Sequence, residues 1–333
     1  MSPQQKQTLY TEVAKLIEAG FGINDAAEAL LEAGQESEIE KVLVALKSSL
    51  KEGRTITESF AEGPMELLEM EDSIISAGEK GGRLAVSFQQ LAEYFELLAD
   101  SRKEIRRGFI YPTILFHLAV LLSVIPFSLL DGGMGKEGSE IIRDFIVKIA
   151  ICYGIAFLIF LGIRALLKKA PESATIDRLL GFIPLVGKAR KNLALARFVK
   201  VYQGGIISGL SMHETVRMAT VAAHSGMIME AGRVLSATVK DGQLLGPVFQ
   251  SHKVFPVAFS RAYVTAEKSG ALDSDLNRWG KLFAKDAKSS AAMVTKLLPK
   301  AFYFLVVGYI AWKIISVYMG YFEGLNDMME NDF

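Results

Sequence analysis

The sequence has one cysteine, Cys152, and four histidines, His117, His213, His224 and His252. A single cysteine excludes an intrachain disulfide, and inside an apolar run it reads as a small packing residue. None of the histidines is spaced i, i+4 from another or joined to a cysteine, so no metal site is expected. No polar stretch alternates over strand length, which argues against a sheet. No nucleic-acid module is present, and the basic residues are not interleaved with stacking aromatics, so no nucleic-acid partner is expected. The chain opens on the polar, amphipathic "MSPQQKQTLYTEVAKLIEAG" rather than an apolar segment, so no signal peptide is read and the N-terminus is assigned to the cytoplasm. A phosphate loop is missing as well. In "GFIPLVGKA", residues 181 to 189, five residues separate the glycines, Pro184 interrupts, and Ala189 stands where a magnesium-binding Ser or Thr belongs. No cofactor and no enzymatic activity are expected.

What the chain has in quantity is apolar sequence. Half of its 333 residues are hydrophobic, and the mean hydropathy is +0.28. These residues gather into three runs, 109–130, 146–167 and 297–322. The first carries no formal charge and as a helix spans about 33 Å, enough for a hydrocarbon core. The second has Lys148 and Arg164 near its ends. The third has Lys300 at its start, where it can snorkel, and Lys313 deeper in. His117 and Lys313 are the ionisable groups singled out within these runs as candidate functional positions.

Charge orients the runs. Arg102, Lys103, Arg106 and Arg107 precede the first, and Lys168 and Lys169 follow the second. Lys285, Lys288 and Lys296 precede the third, and the tail beyond it has four acids and no base. Positive flanks face the cytoplasm. The expected layout is a cytoplasmic domain (1–108), transmembrane helix 1 (109–130), a short periplasmic loop (131–145) and transmembrane helix 2 (146–167). A second cytoplasmic domain (168–296), transmembrane helix 3 (297–322) and a periplasmic tail (323–333) complete it.

The two polar segments repeat each other. "KEGRTITESF" at 51–60 lies over "KDGQLLGPVF" at 240–249, an offset of 189. Glu79-Lys80-Gly81-Gly82 lies over Glu267-Lys268-Ser269-Gly270, an offset of 188, and Tyr111-Pro112 over Leu298-Pro299, an offset of 187. Each segment is read as about six helices, giving an all-α membrane protein with two repeated helical bundles. Gly20 and Gly53 read as helix stops, Asn24 as a cap, and Ser37 with Glu40 as a capping box. Leu84, Phe88, Leu91, Phe95 and Leu98 share a helix face. The repeated glutamate phrase reads as an interhelical turn in which Gly78 and Gly82 supply positive φ. Glu79 is expected near the start of the following helix, accepting its free N–H groups.

These landmarks resemble the inner-membrane platform proteins of type II secretion systems and type IV pili, the GspF/PilC family. The resemblance lies in the doubled turn (Gly78, Glu79, Gly82 and Leu84; Glu267, Gly270 and Leu272), in Pro112 and Pro299 at the first and third apolar runs, in "IPLVGKARKNLALARF" at 183–198, and in Phe255-Pro256. Ala266 departs from the usual glycine, and Leu67-Leu68 lacks the proline of the second copy. The short N-terminus is similar to members serving type IVb or conjugative thin pili. The resemblance implies a non-enzymatic scaffold that oligomerises in the bacterial inner membrane. Its partners would be a cytoplasmic assembly ATPase, pilin or pseudopilin, and other inner-membrane pilus components. A small membrane transporter, or another membrane-anchored interaction protein, is the alternative; a transporter would need charged groups clustered at mid-membrane.

One feature of the charge is independent of that resemblance. Residues 1–108 hold 12 Lys plus Arg against 20 Asp plus Glu, whereas residues 168–296 hold 19 against 9. The total of zero hides an acidic first segment and a basic second one, which predicts that the two meet, within one chain or between neighbours.

Overall fold

Ser2 opens the first helix in a computed structural model of the chain: its hydroxyl accepts from the Gln5 N–H while the Gln5 side chain accepts from the Ser2 N–H. Described are residues 1–132, 138–183 and 186–331. Some side chains between 109 and 156 and between 295 and 331 lie outside the description, among them those of Pro112, Cys152, Pro299 and Lys313. All regular structure among the described residues is helical.

The helices are α1 (Pro3–Glu18), α2 (Ile23–Glu32), α3 (Ser37–Lys51), α4 (Ile56–Ala61), α5 (Glu69–Lys80), α6 (Leu84–Gly132), α7 (Gly138–Lys169), α8 (Ala174–Gly181), α9 (Val186–Ser208), α10 (Met212–Ala222), α11 (Gly226–Lys240), α12 (Gly246–Ser251), α13 (Val257–Ser269) and α14 (Leu272–Asn331). From α2 to α5 the lengths run 10, 15, 6 and 12 residues, and from α10 to α13 they run 11, 15, 6 and 13. Two local expectations need correction. Gly22, not Asn24, caps α2, and Asn24 lies inside the helix. Ser37 is the first residue of α3, whose cap is Glu36 without a side-chain bond, so no capping box forms there.

The chain divides into two compact units. The first comprises residues 1–104, hereafter the first region, and 166–291, the second region. One apolar core runs through both regions, from Leu9 and Tyr10 to Leu276 and Phe283. Phe88, Leu91 and Phe95 of the predicted α6 face lie inside it, and Leu84 and Leu98 pack against it. α5 packs against α9 and α10, so the regions share buried surface.

The other unit comprises residues 105–165 and 292–333. In α7 the stretch Ile149–Lys169 has a mean hydropathy of 2.3, and none of its most apolar window is buried. Phe157, Leu158 and Phe160 are exposed there, as are Phe304, Tyr318 and Phe322 of α14. Of the three runs, this is the one that, among the described residues, is long and apolar enough to cross a bilayer. The other two include many side chains outside the description.

Candidate functional site: twin carboxylate caps and an acid–base seam

Glu79 sits in the last turn of α5, where its charge opposes that helix's own dipole. It is held there by a different helix. Its Oε1 accepts the Ile56 N–H at 2.6 Å, and its Oε2 accepts the Thr57 N–H at 3.0 Å and the Thr57 hydroxyl at 2.6 Å. The expectation that it serves the following helix is thus corrected: it caps α4, more than twenty residues upstream. The remaining free donors of α4 are satisfied locally. The Thr55 N–H donates to Glu58 Oε2 at 2.9 Å, and the Glu58 N–H to Thr55 Oγ1 at 3.2 Å.

Glu267, in the last turn of α13, does the same for α12. It accepts the Leu245 N–H at 2.7 Å and the Gly246 N–H at 2.9 Å. Leu245 and Gly246 lie 189 positions after Ile56 and Thr57. Pro247 follows and has no N–H to satisfy. Gly246 permits the close approach: a Cβ there would lie 2.6 Å from Val264 Cγ2 and 3.0 Å from Glu267 Oε2. A carboxylate at a helix N-terminus both accepts orphan donors and meets the positive dipole end.

The glycines of the doubled phrase divide into two roles. Gly82 and Gly270 take positive φ, +65° and +73°, and turn the chain into α6 and α14. Gly78 does not, contrary to the sequence expectation; it is a buried residue of α5, chosen for lack of a Cβ, which would stand 2.3 Å from Ser87 Oγ. Ser87 Oγ in turn donates to the buried Ser208 Oγ of the second region at 3.0 Å.

Around this serine pair runs a seam of charge. Glu93 pairs with Lys200, Glu69 with Arg217 at 2.6 Å, and Asp100 with Lys288 at 3.0 Å. In each of these the acid belongs to the first region and the base to the second. The Asp100 carboxylate raises the pKa of the exposed Lys288 ammonium. The contact between the acidic and basic segments is therefore made within one chain.

Two clusters went unnoticed in the sequence. Lys6 Nζ, buried, bonds Glu71 at 2.7 and 3.0 Å and the Glu66 carbonyl at 2.8 Å. Glu71 also accepts the Tyr10 hydroxyl at 2.6 Å and the Leu68 N–H at 2.8 Å. Burial, then the Glu71 charge, pushes the Tyr10 pKa well up. A lysine one turn before Leu9 on the buried stripe of α1 was the available signal. In the second region Asp177, 5% exposed, binds Arg190 at 2.9 Å, the Ser225 hydroxyl and the Met227 N–H at 3.2 Å.

His117 bonds the Thr113 carbonyl four residues back at 2.7 Å, with its ring 5.7 Å from that of Tyr153. Lys313, Pro112 and Pro299 have side chains outside the described residues. Among the described residues no group of three or more His, Cys, Asp or Glu is placed to hold a metal ion.

The site is thus a set of interhelical braces among described residues whose regular structure is all helical, the class of a helical scaffold. The family described as type II secretion system protein F matches residues 9–130. The chain is 24% identical to the type II secretion system protein F of Vibrio cholerae, over 96% of this chain and 82% of the relative. It is 20% identical to the type IV pilus assembly protein TapC of Aeromonas hydrophila (99% and 83% covered) and 22% identical to PilC of Myxococcus xanthus (94% and 78%). The chain is thus similar, over most of its length, to proteins of type II secretion and of type IV pilus assembly.

Proposed function

We propose that this chain is a non-enzymatic inner-membrane platform for assembling a type IV pilus or a type II secretion pseudopilus. In this reading a cytoplasmic ATPase acts on the polar regions, and pilin or pseudopilin is extracted from the bilayer and polymerised beside the apolar helices of an oligomer. The observation that carries it is near full-length similarity to relatives from both systems, joined to helices whose apolar side chains are exposed. Residues 109–130, 146–167 and 297–322 span the membrane, with segments 1–108 and 168–296 cytoplasmic as duplicated bundles and 131–145 and 323–333 periplasmic. The charge seam fixes the register of the two regions and so presents one rigid face to the ATPase.

A periplasm-active reporter fused near Lys240 should stay silent, and one fused after Asn326 should be active; the reverse pair of results sinks the topology. Detergent-solubilised protein should copurify the assembly ATPase and show no substrate flux in liposomes. Flux without ATPase capture would favour the transporter reading instead.

A further inference from the structure

A cavity of about 290 Å³ lies in the second region, lined by α8, α9, α11 and the turn before α11. Its walls include Lys188, Lys191, Arg197 and His224, with Asp177 as the one acid. Asp177 is already committed to Arg190, Ser225 and the Met227 N–H. Arg197 has no such partner. Its buried Nε lacks a hydrogen bond, and no carboxylate pairs with it among the described residues. Among the described residues Lys191 reaches only the Lys253 carbonyl, at a long 3.5 Å. Burial lowers the pKa of Lys191 and of Arg197, and burial with the Arg197 charge lowers that of His224. Arg197 and Lys191 are half-buried while Lys188 and His224 are exposed beside them, and a half-buried cation with no carboxylate partner gains from an anion that joins it. Guanidinium and ammonium donors converging on one cavity suit phosphate oxygens.

We propose that this cavity binds a phosphate-bearing anion, either the headgroup of an acidic phospholipid or a soluble phosphate compound. Its place in the chain favours access from a bilayer surface. Ala170, directly after α7, accepts the Gly226 N–H through its carbonyl at 3.0 Å. A Cβ on Gly226 would stand 2.4 Å from the Ser173 carbonyl carbon. The chain leaving the apolar helix is thereby pinned against the α11 start that walls the cavity. Beside Gly181, at the cavity's edge, Leu179 and Phe182 are 58% and 83% exposed. With α7 taken as a membrane span, as proposed above, chain connectivity alone keeps Ala170 and the segment after it close to the span's end, where acidic headgroups are available.

The test uses the full chain, in phosphatidylcholine nanodiscs with or without phosphatidylglycerol, and in zwitterionic detergent titrated with inorganic phosphate. Native mass spectrometry counts retained phosphatidylglycerol, and NMR of labelled histidines, assigned with His224→Asn, follows the His224 pKa, which a bound anion should raise. Arg197→Gln and Lys191→Gln should each weaken binding about tenfold. Lys188→Gln, at the exposed rim, should weaken it about threefold without risk to folding, while the distant Lys240→Gln should leave it unchanged. Retained phosphatidylglycerol that is lost in the variants assigns the lipid source. A phosphate-induced His224 shift without lipid retention assigns a soluble phosphate compound. Failure of both probes, or variants that bind like the parent, overturns the proposal. Extraction of the chain from membranes by alkaline carbonate would remove the span assigned to α7 but leave the phosphate arm intact, so the two failures are distinguishable.

Discussion

The first and second regions carry helices of nearly the same lengths in the same order, yet they solve one packing problem with different chemistry. At the N-terminus of α5 the chain reads Leu68 with Glu71 three residues on; at that of α13 it reads Pro256 with Phe259. Where Leu68 presents a free N–H, Glu71 turns inward to accept it, and Lys6 and Tyr10 follow to satisfy the carboxylate. Where Pro256 presents none, Phe259 fills the space, and Leu195 stands 189 positions after Lys6. The second core is accordingly an aromatic cluster. Phe249 lies 4.2 Å from Tyr263 and 4.8 Å from Phe255 between ring centroids, and the Tyr202 and Tyr263 hydroxyls meet at 2.6 Å. The first region thus adds a buried ionic network to a ring cluster of its own, Tyr10, Phe60, Phe88 and Phe95, while the second has Phe259 where Glu71 would fall.

Removing the centre of either network should have the largest effect. Glu71→Ala strands the Lys6 ammonium in the core and should cost about 3–5 kcal/mol. Phe249→Ala should cost a similar ~3–5 kcal/mol through the cavity it leaves. The difference lies in rescue. Adding Lys6→Met and Tyr10→Phe to Glu71→Leu should recover most of the stability, since uncharged packing replaces a buried pair at little cost. No charge change should rescue Phe249→Ala. Thermal melts of the full chain in detergent would decide, and a Glu71→Ala variant as stable as the parent would dissolve the contrast.

The caps come next, and here the regions should agree. Glu79→Gln and Glu267→Gln should each cost about 1–2 kcal/mol, with Glu79 the larger because it accepts three bonds against two. If either variant keeps its melting temperature but abolishes assembly of a pilus or pseudopilus, that carboxylate has a partner beyond its helix.

Smaller again are the seam pairs. Glu93→Lys should lower stability by about 1 kcal/mol, and adding Lys200→Glu should restore it. Glu69–Arg217 and Asp100–Lys288, being more exposed, should contribute less and fade as salt rises. Separately expressed regions should associate at low salt and part at high salt; salt-insensitive association would mean that the hydrophobic contact of α5 with α9 and α10 holds the regions together.

The smallest expected effect is a pH slope. Burial holds the His224 pKa below the ordinary 6.5, so the unfolded chain binds the extra proton first. Its contribution is whole above that value and is lost as pH falls through the lower folded value. His224 also takes a φ of +49°, a conformation asparagine tolerates. His224→Asn should therefore keep the fold and flatten the melting-temperature slope below about pH 6.5; an unchanged slope would assign the acid sensitivity elsewhere.

The helical class, the turn glycines Gly82 and Gly270, the apolar run at 146–167, which overlaps Ile149–Lys169, and the acid–base division of the chain were all legible in the sequence. Each depends on neighbours along the chain: periodicity for a helix face, a missing Cβ for positive φ, summed transfer energy for an apolar run. What the tertiary structure decided is which groups meet across distance. Glu79 could be read as a capping acid, but that it serves α4 rather than α6 depends on how α5 lies against α4. Gly78 is a helix residue pressed against Ser87 rather than a turn residue, and Lys6 is buried because Glu71 stands opposite it. Interhelical hydrogen bonds form at separations of tens of residues and only after packing sets the distances, so no local pattern encodes them. The sequence determined which chemistries were available; the packing of α4 on α5, α12 on α13 and the first region on the second determined their partners.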